Sequence, residues 1–207
     1  MKLIDAFLHV RRRAEKDAPT LLLLHGRGGS ERDLVGIGHA LGAGVGYLAP
    51  RGPEVQPPGW AWFTNRGIGI PVVENTQGHL DDLSAWLDVA LAHYGITSPV
   101  VAVGFSNGGM MAGALLAARP DVVSGAALFS SAYPLPAELR DRGGLAGRRM
   151  FITAGDADPM HPTATFTAGV ASYEEAGAIV EASLEPGVGH EITLAQVDAL
   201  RGWLGGS

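Results

Sequence analysis

The chain has 207 residues, 46% of them hydrophobic and 17% charged, with a formal net charge of −6 and no cysteine. That balance fits one globular domain spanning residues 1–207 and excludes a disordered or membrane-spanning chain. It offers no electrostatic footprint for nucleic acid or anionic membrane, and the missing thiols exclude disulfides, thiolate metal sites and cysteine nucleophiles.

The first ten residues lack the apolar stretch and small-residue cleavage site of a secretion signal, and no run approaches a membrane span, so a cytoplasmic protein without stable membrane association is the default expectation. Strand signals then recur at Ala6–Arg12, Thr20–Leu24, Val45–Pro50, Val100–Gly104, Gly125–Phe129, Met150–Ala154 and Ile179–Leu184. The basic run Arg11–Arg13 reads as a solvated strand end. The middle strands are continuous apolar runs, as suits strands buried on both faces of a parallel sheet. Helical patterns lie between them at Gln77–Tyr94, Ser106–Arg119, Ala164–Ala176 and Glu191–Leu204. The clearest carries Leu80, Leu83, Leu87, Ala90, Leu91 and Tyr94 at 3/4 spacing. Alternating strands and helices predict an α/β fold with a mostly parallel sheet of about seven strands flanked by helices. Only about twenty residues separate Phe129 from Met150, too few for a separate helical cap, so the site should be open.

The most informative stretch is Val100–Gly109, an apolar β-branched run ending in Gly104-Phe105-Ser106-Asn107-Gly108 and passing directly into an Ala/Leu/Met-rich helix. A strand entering a helix through so tight a turn exposes the serine hydroxyl at the apex, beside the free N–H groups of a helix N-terminus. Ser106 is therefore the candidate nucleophile. It requires a base, and the base requires an orienting acid. In the α/β-hydrolase order these follow as Asp or Glu, then His. Either Asp156 or Asp158, in the turn after the Met150 strand, can supply the acid, and His190, in the Gly-rich loop before the last helix, the base.

The other histidines fit less well. His9, His39, His79 and His93 precede the serine on predicted strands or helices, where surface or capping roles suit them. His161 lies three residues after Asp158, but no ligand cluster of the usual spacing accompanies it, so no metal is expected. An oxyanion hole completes the set. Asn107 N–H should supply one donor. The other should be Arg27 N–H, in the Gly-rich loop that ends the Leu21–Leu24 strand. His25 reads as a structural residue holding that loop. Trp60, Trp62 and Phe63 either wall an acyl pocket or simply cover the end of the sheet.

Six blocks in this order carry a resemblance: Leu24–Leu34, Ala49–Gly52, Ala61–Phe63, Gly104–Gly109, Gly155–Pro159 and Gly187–Ile192. Together they resemble the bacterial phospholipase/carboxylesterase family of α/β-hydrolases, relatives of the acyl-protein thioesterases. The resemblance implies a compact serine esterase without a cap domain. It selects Asp158 over Asp156, because the family's acid lies three residues after the loop glycine. Three departures stand out. Asn107 replaces the usual Gln, of little consequence if only its main chain acts; Ala154 stands where His is common; and Met160-His161-Pro162 replaces a more aliphatic run.

The implied activity is hydrolysis of short-to-medium acyl esters through a Ser-His-Asp triad and an acyl-enzyme, without cofactor, on a small-molecule ester. Activity should rise with pH through neutrality, since a free histidine titrates near ~6.5. Thioesterase or lysophospholipase activity at the same site is the near alternative, and a non-catalytic binding module on this scaffold the remote one. A homodimer remains open.

Overall fold

The computed structural model describes residues 3–67, 70–71 and 73–206. A 3-10 turn, Leu3–Ala6, precedes strand β1 (His9–Arg12), followed by β2 (Thr20–Leu24), helix α1 (Val35–Ala40) and β3 (Gly46–Pro50). Two small hairpins come next, β4 (Glu54–Gln56) with β5 (Gly59–Ala61) and β6 (Asn65–Gly67) with β7 (Ile70–Pro71). The remainder alternates: α2 (Val73–Tyr94), β8 (Val100–Phe105), α3 (Asn107–Ala118), β9 (Val123–Phe129), α4 (Ala137–Arg140), β10 (Arg149–Gly155), α5 (Thr163–Glu175), β11 (Ile179–Glu185) and α6 (Leu194–Gly205).

Seven strands form the main sheet in the order β1-β3-β2-β8-β9-β10-β11, parallel throughout except for β1 against β3. The pleat explains the continuous apolar runs. Leu22 and Leu24 enter one cluster with residues of α2, α3 and α5, whereas Leu21 and Leu23 enter the opposite cluster with residues of α1 and α6. The chain leaves β2 in one direction towards β3 and later leaves β8 in the other towards β9. The order therefore reverses between neighbouring β2 and β8, and such a reversal opens a crevice at the carboxyl ends of the strands.

The seven strands expected from sequence are all present. Three local expectations are corrected. Residues 6–8 are not strand: Ala6 ends the 3-10 turn, and Phe7 enters the core. Arg11 and Arg13 are exposed, but Arg12 is half-buried and engaged. Its guanidinium bonds the carbonyls of Val45, Gly38 and Gly42 and lies 5.0 Å over the Tyr47 ring, tying the edge strand to the turn after α1. The last helix begins at Leu194, capped by a Thr193–Gln196 box, which leaves residues 186–193 as a loop free to carry a functional side chain. No helix among the described residues is long and apolar enough to cross a membrane.

Candidate active site

The β8–α3 junction places Ser106 at the crevice. Its backbone sits at φ 52°, ψ −120°, a conformation that costs an L-residue about 1–3 kcal/mol and persists only where the surroundings impose it. The constraints are visible. Ser106 N–H donates to Phe129 O (2.9 Å), and its carbonyl accepts from Gly109 N–H (3.0 Å) and Met110 N–H (3.1 Å). A Cβ on Gly104 would overlap the main chain of Gly108 and Gly109, and one on Gly108 would overlap the carbonyls of Leu24 and His25. Because backbone cannot yield as a flexible side chain can, Gly108→Ala is expected to cost upwards of ~3 kcal/mol. Chemical denaturation should show this loss; an unchanged midpoint would mean the elbow is more plastic than its contacts imply.

His190 and Asp158 meet Ser106 from the next two strand ends but one. His190 Nε2 lies 3.0 Å from Ser106 Oγ, and His190 Nδ1 lies 2.7 Å from Asp158 Oδ2. The Asp158 carboxylate is fully buried, whereas the imidazole is 19% exposed, so the proton-carrying ring remains reachable from solvent. Asp158 Oδ1 accepts the N–H groups of Met160 (2.8 Å) and His161 (3.0 Å). Burial resists ionisation of Asp158, but the bonds from His190 and these amides, with the charge of His190, outweigh it and hold the carboxyl below its ordinary range. Asp156, the other acid considered, is exposed and serves elsewhere. Its Oδ1 accepts Gly187 N–H (2.7 Å), and Ala157 N–H bonds Val188 O (3.0 Å), so the turn carrying the acid is stapled to the loop carrying the histidine.

The two expected oxyanion donors lie on adjacent strand ends, after β2 and after β8. Among the described residues neither Arg27 N–H nor Asn107 N–H has an acceptor. The Asn107 side chain is engaged as well. It is buried, accepts Trp62 N–H (2.8 Å) and donates to Phe63 O (3.3 Å), so it pins the segment after β5 against the elbow. No residue pattern around Asn107 could have revealed this, because its partners lie over forty positions away.

The aromatic trio divides. Trp62 is fully buried, packs on Phe7 and His25, and donates its indole N–H to His25 O (3.0 Å); it is placed in the core and not on a pocket wall. Trp60 is half-buried, with its main chain against Gly28 and Gly29 and its ring beneath the Arg51 guanidinium. Phe63 borders a cavity of about 50 Å³, with Met110, Ala114, Tyr133, Leu135 and Leu139 among its walls.

Two buried histidines stand outside this proton chain. His25 Nε2 accepts Gly52 N–H (2.9 Å), which leaves Nδ1 to donate to Gly26 O (2.8 Å); both hold the Gly-rich loop. His161 is fully buried against Tyr133 and Phe166, lies by the Ala132 backbone, and neither ring nitrogen reaches hydrogen-bond geometry. Burial is the largest influence on each and pushes each below the ordinary histidine value. The unfolded chain therefore takes up protons that the folded chain refuses. Stability is full above ~6.5, the unfolded histidine value, and falls as pH drops below it; paired carboxylates add their own loss only near ~4. Thermal unfolding midpoints should decline between pH 7 and pH 5, less steeply in His161→Asn. A midpoint flat over that window would contradict the neutral burial of these rings.

Among the described residues no group of three or more His, Asp or Glu is arranged to hold a metal ion. The sequence pattern of the Phospholipase/Carboxylesterase family matches residues 6–205. MhqD of Bacillus subtilis (strain 168), which carries a hydrolase name, is 30% identical over 185 residues, 88% of this chain and 90% of its own. Among solved structures, a Bacillus cereus carboxylesterase is similar with a TM-score of 0.84 at 29% identity, covering 97% of this chain and 94% of its own. A Mesorhizobium loti carboxylesterase gives a TM-score of 0.85 at 26% identity, covering 98% and 96%.

Proposed function

Since the chain belongs to the phospholipase/carboxylesterase family, we propose that it is a serine carboxylesterase that cleaves short-to-medium acyl esters through an acyl-enzyme. The observation that carries this reading is the continuous hydrogen-bond chain from Ser106 Oγ through His190 to the buried Asp158 carboxylate, at 3.0 and 2.7 Å.

Asp158 accepts the Nδ1 proton of His190, which leaves Nε2 with a free lone pair facing Ser106. As Oγ bonds to the acyl carbon, its proton passes to Nε2, and the negative charge on the carbonyl oxygen is met by the N–H groups of Arg27 and Asn107. The imidazolium then protonates the departing alkoxide, the carbon–oxygen bond breaks, and the alcohol leaves. Water, deprotonated by the same nitrogen, attacks the acyl-enzyme and releases the acid, returning the proton to Ser106. Asp158 stays ionised throughout and stabilises the imidazolium.

The acyl chain enters the cavity bordered by Phe63 and Met110. Met110 N–H bonds the Ser106 carbonyl and Phe63 O accepts from Asn107, so two of its lining residues are tied to the elbow.

A series of p-nitrophenyl esters from acetate to decanoate, run beside acyl-thioesters and lysophospholipids, tests the reading. The expected result is highest kcat/KM on the short-to-medium esters, falling off towards decanoate. Preference for a thioester or a lysophospholipid would reassign the substrate while keeping the chemistry; binding without turnover of any of them would leave a non-catalytic module.

A further inference from the structure

The loop after β2 has to hold a main-chain N–H in place against the pull of a developing oxyanion, yet three of its residues, Gly26, Gly28 and Gly29, are glycines, Gly28 at φ 78°. Its rigidity comes from outside. Trp60 N–H donates to Gly29 O and Gly28 N–H donates to Trp60 O, both at 2.8 Å, so the loop is laced to β5 as an isolated antiparallel bridge. The Arg51 guanidinium lies 3.8 Å over the Trp60 ring. Its fork donates to Glu31, from Nε to Oε2 at 2.7 Å and from Nη2 to Oε1 at 3.1 Å. Glu31 returns to the same loop, two residues past Gly29, and is only 6% exposed. The contacts Glu31–Arg51–Trp60–Gly28/Gly29 thus close a ring around the exposed Arg27.

A buried carboxylate needs a reason. Desolvating an ion pair commonly cancels its attraction, so such pairs are weak evidence of stabilisation; fixing one register against alternatives is their best-attested use. Here the pair fixes a loop whose glycines would otherwise leave it mobile. Arginine is the suitable cation, because a planar fork can bond a carboxylate in two places and stack on an indole at once, which an ammonium cannot.

We propose that Glu31, Arg51 and Trp60 are positioning residues for the oxyanion hole, holding Arg27 N–H in line with Asn107 N–H; this rests on the esterase reading above. None of the three touches the reacting atoms. Removing them displaces a donor that matters in the transition state and leaves ground-state binding alone.

The test is steady-state hydrolysis of p-nitrophenyl acetate by wild type, Arg51→Lys, Glu31→Gln and the double variant Glu31→Gln/Arg51→Gln, with thermal midpoints measured alongside. The double variant leaves no unpaired buried charge, so it separates loss of the pair from the cost of a lone charge. Expected is a fall in kcat of roughly 10- to 100-fold in each folded variant, with KM within about twofold of wild type. The pH midpoint of kcat should stay put, because His190 and Asp158 are untouched. A purely structural pair predicts the opposite for the double variant: kcat recovers along with stability. Wild-type kcat in Arg51→Lys or in the double variant overturns the proposal while leaving the esterase reading intact. A wild type that turns over no ester at all fails that reading, and this one with it.

Discussion

Replacing Ser106 with alanine is expected to lower kcat by about 10⁴- to 10⁶-fold and to leave the fold in place. The substitution deletes one atom that bonds only to His190 Nε2. The contacts of residue 106 itself that fix the elbow are main chain: the bond from Ser106 N–H to Phe129 O and those from Gly109 and Met110 to the Ser106 carbonyl, beside the close approach of Gly104 to Gly108. Alanine also inherits the same φ of 52°, so the strain is neither added nor released. Loss of rate without loss of stability is therefore the signature. Circular dichroism and the thermal midpoint should match wild type while kcat collapses. Retained turnover would remove Ser106 from the chemistry, whereas parallel loss of rate and fold would leave its role open to a structural explanation.

Asp158→Asn should cost about 10³- to 10⁴-fold in kcat with KM little changed. The reason lies in which partners surround the carboxylate. Oδ1 accepts the amides of Met160 and His161, so the carbonyl oxygen of an asparagine must take that side. Its NH₂ then faces His190 Nδ1. Two donors cannot share that contact, so the imidazole shifts its proton to Nε2 and turns an N–H towards Ser106 in place of a lone pair. The base is present but in the wrong tautomer. Kinetics over pH 6–9 would read this as a lowered plateau; a loss smaller than about tenfold would mean that His190 holds its tautomer without help from Asp158.

Much of this arrangement is legible in the residues before any coordinates. The sheet announces itself because strands such as Leu21–Leu24 and Val100–Phe105 are covered on both faces, leaving runs with no polar interruption. The elbow is legible because a serine between glycines at a strand–helix junction has few other conformational uses. Ser106, His190 and the acid turn lie far apart along the chain, yet parallel strands bring their carboxyl ends to one edge, so chain order and turn chemistry nominate Ser106, His190 and the pair Asp156 and Asp158, between which the family resemblance selects Asp158.

What is not legible depends on partners distant in sequence. Helix α1 carries two glycines in six residues and shows no propensity of its own; Ile37 and Gly38 form a helix because they pack beneath the sheet. The hairpin of β4 and β5 is too short to display a period. Trp62 looks like a pocket residue because it sits in a Pro/Gly-rich segment, and only the contacts with Phe7 and His25 reveal it as core. Arg12 reads as a solvent-facing charge in a triple run, since nothing nearby announces the carbonyls waiting near the turn after α1. Likewise, the pairing of Glu31 with Arg51 crosses twenty residues and becomes meaningful only once Trp60 is seen lacing the loop.

The most direct measurement is covalent. Wild-type protein treated with a fluorophosphonate, digested and mapped by mass spectrometry should carry one label, on the peptide containing Ser106, and lose ester hydrolysis in proportion to labelling. Label on a different residue, or full hydrolysis by protein that remains unlabelled, would contradict activation of the Ser106 hydroxyl by His190.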